Sequence, residues 1–226
     1  MMIYNNALRR RRSKRPGAAE VALGFYQRRV MPRLIHFGMR QKQLVPLREQ
    51  LCAGARGRVL EIGIGSGLNL PFYPREIEIL LGLDPSRELL EMAKRQASWV
   101  HFPVELGTGY AEDIPLEDHA VDHVVLSWTL CSVADPGRAL AEIRRVLRPE
   151  GGLLFVEHGR APQPRVARWQ DRLTPVWRRL AGGCHLNRPI DELLERAGLR
   201  LVEIERGHLV SGPRVATYHY RGRAAA

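Results

Sequence analysis

The sequence predicts an α/β fold: a mostly parallel sheet with helices on both faces, an antiparallel edge strand at the C-terminus and a helical cap at the N-terminus. Three observations carry that prediction. From residue 58 to 158, apolar runs of strand length alternate with stretches of helical period. The first of those runs ends in an acid followed by three alternate glycines, Gly63, Gly65 and Gly67. Two further strand-like runs, 199–205 and 215–221, end the chain with no helical pattern between them, as an antiparallel pair allows.

Taken in order, residues 1–19 hold Arg9, Arg10, Arg11, Arg12, Lys14 and Arg15 and no acid. They read as a basic tail, serving either as a patch for anionic lipid or nucleic acid or as a solvated, disordered arm. One domain is expected over 20–226. Its first part, 20–54, reads as the cap: Val21, Phe25, Val30, Leu34, Ile35 and Phe37 alternate with Arg28, Arg29 and Arg33, and Leu44, Leu47 and Leu51 follow at helical spacing. Strand Arg58–Ile62 leads into the glycine loop and a short helix stopped by Pro71 and Pro74. Strand Glu78–Leu83 ends at Asp84, and Ser86 is placed to cap a helix that buries Leu89, Met92 and Ala93.

Val104–Gly107 reads as a short third strand and Val121–Ser127 as an apolar fourth with Asp122 at its start. A helix over Gly137–Leu147 presents Leu140, Ile143 and Leu147 on one face. The run Arg148-Pro-Glu-Gly-Gly152 stops it and turns into strand Leu153–Glu157. Residues 159–189 break the rhythm: Pro162, Pro164 and Pro175 bracket Trp169, Leu173, Trp177 and Leu180, which read as a short amphipathic insert. Helix Ile190–Ala197, closed by Gly198, precedes the strands Leu199–Glu205 and Val215–Arg221.

Composition narrows the class. The chain has 226 residues, 45% hydrophobic, enough for one full core. Its net charge of +11 is concentrated in the tail. Cys52, Cys131 and Cys184 are odd in number and form no C-x-x-C pair, so a disulfide framework or zinc knuckle is not expected and a reducing cytoplasm fits best. No run approaches the roughly 20 apolar residues of a membrane span, and no apolar segment follows the arginines as in a signal peptide.

The glycines then choose the cofactor. A dinucleotide loop follows G-x-G-x-x-G, whereas here Leu68 stands where the third glycine belongs and Gly67 comes one residue early. Glu61 just before the loop would repel a pyrophosphate and suits a cofactor with a cationic end. Asp84 closes the next strand, where an acid can take two ribose hydroxyls. The E-x-G-x-G-x-G arrangement resembles the first motif of class I S-adenosylmethionine-dependent methyltransferases, which implies a Rossmann-like fold.

With Asp122 and Leu147-Arg-Pro-Glu-Gly-Gly152, that resemblance covers the stretch from 58 to 158. Thr129-Leu-Cys-Ser-Val133, Glu157-His158 and Gly183-Cys-His-Leu-Asn187 are similar to the methyltransferase-like 7 family, whose mammalian members are membrane-associated thiol methyltransferases, and to its bacterial relatives. Those relatives carry a hydrophobic N-terminal anchor where this chain has arginines, so membrane residence is not carried over. The resemblance implies S-adenosylmethionine bound with its methionine part over Gly63, Gly65 and Gly67. Glu61 would orient the loop or meet the ammonium through water. Asp84 would hold the ribose, with Pro85 flanking the adenine and Tyr110, Ala111 and Glu112 reading its edge. Many relatives have an acid at the place of Tyr110. Ser127 and Trp128 would face the methionine and the mouth of the acceptor pocket.

Methyl transfer from a sulfonium needs chiefly a positioned nucleophile and exclusion of water. A base is required where the acceptor carries a proton, and His158 is the candidate, against the alternative that it only shapes the pocket or bonds the backbone. Cys131 reads as substrate contact or buried filler, Cys184 with His185 as half a metal site or structural, and Trp169 and Trp177 as pocket lining or docking residues.

The expected function is methylation of a small lipophilic thiol, phenol, quinone or amine in the cytoplasm. Peripheral contact with an anionic membrane through Arg9, Arg10, Arg11 and Arg12 is compatible with it. The alternatives are a nucleic-acid methyltransferase, disfavoured because Ser127-Trp-Thr-Leu replaces the Asn/Asp-Pro-Pro-aromatic signature, and a non-catalytic cofactor-binding protein at a membrane surface. The sequence leaves oligomeric state open.

Overall fold

The computed structural model describes residues 30–226. The basic tail and the first part of the expected cap lie outside the described residues. The cap continues within them as α1 (Met31–Met39) and α2 (Val45–Cys52), each opened by a proline in its first turn, where a missing N–H costs nothing.

Seven strands form one sheet in the order β3-β2-β1-β4-β5-β7-β6. β1 (Gly57–Ile62), β2 (Ile77–Asp84), β3 (Val104–Thr108), β4 (Val121–Ser127) and β5 (Leu147–His158) run parallel. β7 (Tyr218–Ala225) lies antiparallel between β5 and β6 (Arg200–His208). The antiparallel strand therefore sits one place in from the edge, which β6 occupies.

Side chains alternate across the sheet as the strand period demands. Leu60, Ile62, Val124, Leu126, Leu153 and Phe155 pack with α4 (Pro136–Val146) and α6 (Ile190–Arg196). Val59, Val125, Leu154 and Val156 pack with α2 and with α3 (Arg87–Ala97) on the other face. Burial on both faces explains the continuous apolar strands.

Several elements differ from expectation, each for a local reason. Only one 3₁₀ turn, Leu70–Phe72, follows the glycine loop, because Pro71 and Pro74 leave no room for a second. On α3 Ser86 caps as expected, its Oγ accepting the Leu89 N–H at 3.3 Å, but Leu90 rather than Met92 joins Leu89 and Ala93 in the core. Leu147 begins β5 instead of ending α4. Arg148 to Gly151 form a bulge between the pairs Val121↔Leu147 and His123↔Gly152. Gly151 is needed there, since a Cβ would lie 2.9 Å from the carbonyl oxygens of both Arg148 and Asp122.

The insert departs most. It is a 17-residue helix, α5 (Pro164–Leu180), that runs through Pro175 and buries Ala167, Gln170 and Thr174. Trp169, Leu173, Val176, Trp177 and Leu180 form its outward stripe, with Trp169 54% exposed. Gln170 sets the buried face: its amide accepts the Ala161 N–H at 2.9 Å and donates to the carbonyls of Gly159 and Val215. Of the two readings of Trp169 and Trp177, docking of the insert is the one this face does not follow.

Candidate active site

Strand order reverses between β1 and β4, so a crevice opens at their carboxyl ends, the usual ligand position in such sheets. Glu61, Asp84, Ser127 and His158 all stand at or next to those ends.

Gly63, Gly65 and Gly67 all have positive φ, at +69°, +56° and +77°. A Cβ on Gly63 would run into the side chain of Thr129, and one on Gly67 would lie 2.8 Å from Leu70 Cδ1 and 3.1 Å from Ala93 Cα. At Gly65 a Cβ meets nothing nearer than the Gly63 carbonyl at 3.8 Å. The outer two glycines satisfy the protein's own packing, while the middle one presents bare backbone to open space. A ligand can approach there.

Asp84 sets the loop's shape. Its Oδ2 accepts the Gly65 N–H at 2.9 Å and its Oδ1 the Ser86 N–H at 2.8 Å. Burial pushes its carboxyl upward, against the pull of those two bonds. Each oxygen retains acceptor capacity, which suits a pair of neighbouring hydroxyls. Pro85 is exposed beside it.

Glu61 is a hub inside the protein. Its Oε1 accepts from Asn69 Nδ2 at 2.7 Å and its Oε2 from the Tyr73 hydroxyl at 2.9 Å. The same Asn69 amide donates to Ser127 Oγ at 2.9 Å, and its oxygen accepts from buried Arg48. Burial pushes Glu61 up to about 7 despite these donors. Arg48 also lies 4.8 Å over the Trp128 ring and donates to the Met39 carbonyl, so α1, α2, β1 and β4 converge on one polar network. Near the loop, His36 of α1 bonds Ser66 at 2.6 Å.

The loop after β4 is gripped through its main chain. Glu157, fully buried, accepts the N–H groups of Thr129, Leu130 and Cys131 at 2.8, 2.9 and 3.1 Å. Burial pushes its carboxyl up to about 7, with those three bonds pulling the other way. From the opposite side Arg188 donates to the carbonyls of Leu130 and Val133. Trp128 enters the loop at φ +52°, a conformation that bulky residues adopt only under constraint. The constraint is visible: its N–H bonds the Val156 carbonyl at 2.8 Å, and its ring meets His219 edge-on at 6.1 Å.

His158 is buried at the end of β5. Its Nδ1 lies 3.6 Å from Cys184 Sγ, and its Nε2 is buried without a partner. A buried polar atom left unsatisfied is costly and calls for an explanation. The His219 ring lies beside it, tilted by 57° at a centroid distance of 5.7 Å; burial pulls that imidazole down to about 4, so it stays neutral.

Tyr110, Ala111 and Glu112 follow β3 at the same edge. Tyr110 is 64% exposed and Ala111 buried. Glu112 Oε1 accepts the Ala134 and Asp135 N–H groups at 2.9 and 3.1 Å, which ties this segment to the start of α4. The structure thus gathers the expected residues at one edge and adds some that sequence reasoning passed over: Arg48, Asn69, Tyr73, Glu157 and Arg188. Asn69 lay beside the glycine motif, and Glu157 lay within the Glu157-His158 motif without a role assigned to it. Arg48 had no signal, since in a helical pattern it reads as solvated.

The chain matches the methyltransferase domain family over residues 60–155. It is 38% identical over 159 residues to thiol S-methyltransferase TMT1B of Homo sapiens, covering 68% of this chain and 65% of that protein. With the Rattus norvegicus TMT1B the identity is 36% over 151 residues, 65% of this chain and 62% of that one. The chain therefore spans a little under two thirds of the length of these relatives. A solved S-adenosylmethionine-dependent methyltransferase from Thermotoga maritima superposes with TM-score 0.61 at 24% identity, covering 91% of this chain and 98% of the other. The bare backbone at Gly65 and the paired acceptor sites of Asp84 fit S-adenosylmethionine, the cofactor that family and fold imply. On fold, glycine loop and sequence together, the chain belongs to the class I S-adenosylmethionine-dependent methyltransferases.

Proposed function

We propose that this protein transfers a methyl group from S-adenosylmethionine to a small, lipophilic acceptor, and that a thiol is the preferred class. The observation that carries the reading is the unpartnered Nε2 of His158, buried at the carboxyl end of β5. Bound S-adenosylmethionine supplies a methyl on an already cationic sulfur. The chain's residues then have three tasks. Gly65 and Asp84 would hold the cofactor, with Pro85, Tyr110, Ala111 and Glu112 along its adenine side. The network of Glu61, Asn69 and Ser127 would keep the crevice floor rigid, and Trp128 would exclude water. His158 would take the acceptor's proton at Nε2, a need that thiols and phenols share. The names of the two TMT1B relatives favour a thiol.

Labelled cofactor with a panel of thiols, phenols, quinones and amines tests the proposal. Thiols should turn over, and His158→Gln should lower kcat at neutral pH by about 10²-fold or more with little change in cofactor affinity. Recovery of the variant's rate at alkaline pH, where the thiol ionises unaided, would mark the base role. A folded, cofactor-binding protein that methylates nothing in the panel would leave the non-catalytic reading. Methylation of RNA alone would favour the nucleic-acid one.

A further inference from the structure

Beside His158 lies a cluster that methyl transfer does not use. Cys131, on the loop after β4, and Cys184, after α5, are 53 residues apart in sequence, yet their sulfurs are 3.5 Å apart. Their backbones are already joined, since the His185 N–H donates to the Cys131 carbonyl at 2.8 Å. Cys131 is buried and Cys184 only partly so. The two residues before Cys184 are Gly182 and Gly183, at φ +61° and +92°, conformations that cost glycine nothing. Of the pair, Cys184 is the more exposed residue and Cys131 the shielded one.

We propose that Cys184 and Cys131 form a thiol–disulfide exchange site for small organic disulfides, with Cys184 attacking and Cys131 resolving. The Cys184 thiolate attacks one sulfur of RS–SR, forming Cys184–S–S–R and expelling RS⁻. Cys131 then loses its proton and attacks the Cys184 sulfur, forming the Cys131–Cys184 bond and expelling a second RS⁻. Two protein thiols are oxidised, one disulfide is reduced, and the two RS⁻ groups take up the two protons. Excess small thiol runs the same steps backward.

The electrostatics divide the roles the same way. Sharing of a proton with Cys131 pulls the Cys184 thiol well below its ordinary value, with His158 beside it as a second cause. The same shared proton, and then burial, push Cys131 up. A low thiol attacks readily, and a shielded neighbour resolves the mixed disulfide. Cys52, buried against the far face of the sheet with α2, has no thiol neighbour to resolve it.

The proposal stands apart from the choice of methyl acceptor, because mass alone reads it out. Reduced full-length protein, desalted and incubated with glutathione disulfide, should lose two hydrogens and yield one cross-linked peptide pair joining Cys131 to Cys184. Cys131→Ser should instead hold one glutathione on Cys184. In Cys184→Ser, Cys131 should react at least about tenfold more slowly than Cys184 does in the wild type. The wild-type cross-link needs no variant to fold. A wild type that remains fully reduced while folded would overturn the proposal, as would a link through Cys52 or glutathione on Cys131 as fast as on Cys184.

Discussion

Two alanine substitutions two residues apart should fail in different ways. Gly65 and Gly67 both have positive φ, so alanine at either costs about 1–2 kcal/mol of backbone strain. At Gly67 the new Cβ also meets Leu70 Cδ1 at 2.8 Å and Ala93 Cα at 3.1 Å, and α3 has to shift. Such overpacking adds about 1–3 kcal/mol, for a total of about 2–5 kcal/mol. At Gly65 the nearest atom is 3.8 Å away, so only the strain remains. There the Cβ instead intrudes where the cofactor would approach, and the same overpacking weakens binding about 10- to 100-fold. Urea unfolding at constant m-value and calorimetric titration of S-adenosylmethionine separate the two effects. Gly67→Ala should be the less stable of the pair and Gly65→Ala the poorer binder for its stability. If folded Gly65→Ala bound the cofactor like the wild type, the open face of the loop would not be the cofactor's side.

Two buried groups and one exposed ring give three further outcomes. Glu61 rises from 4.5 to about 7 on folding, through burial. Between those values the folded chain holds a proton that the unfolded chain has lost, so its contribution to stability falls as pH rises from about 4.5 to 7 and is level above. Glu61→Gln should remove about 3 kcal/mol of that decline, measured by urea unfolding at both ends of the range; an unchanged pH slope would count against it. Gln170→Leu strands the Ala161 N–H and the Gly159 and Val215 carbonyls, for a loss of about 3 kcal/mol or more. Trp169→Ser, on the outward stripe, should stay within about 0.5 kcal/mol; the opposite ranking in thermal unfolding would show that α5 docks by its apolar face after all.

Much of this was legible in the chain, and the failures share a cause. The parallel strands could be read because burial on both faces leaves continuous apolar runs, and Ser86 because capping is local chemistry. Gly63, Gly65 and Gly67 could be read because left-handed turns demand glycine. The face of α5 could not, since Trp169 and Trp177 read equally as pocket lining or as docking residues, and the three long-range hydrogen bonds of Gln170 decide which face is buried. Nor could the place of Arg48, whose partner Asn69 lies 21 residues along the chain. Cys131 and Cys184 meet only because α5 returns the chain to the loop after β4. Long-range polar partners leave no periodicity to find.

The grip of Glu157 and Arg188 on the loop after β4 bears on how that loop can change. Every bond in that grip ends on a main-chain N–H or carbonyl. The two clamps thus make no demand on the loop's side chains, although Thr129 and Leu130 are held by hydrogen bonding and packing of their own. Ser132, whose Oγ lies 3.5 Å from Cys131 Sγ, is a position where a substitution disturbs neither clamp.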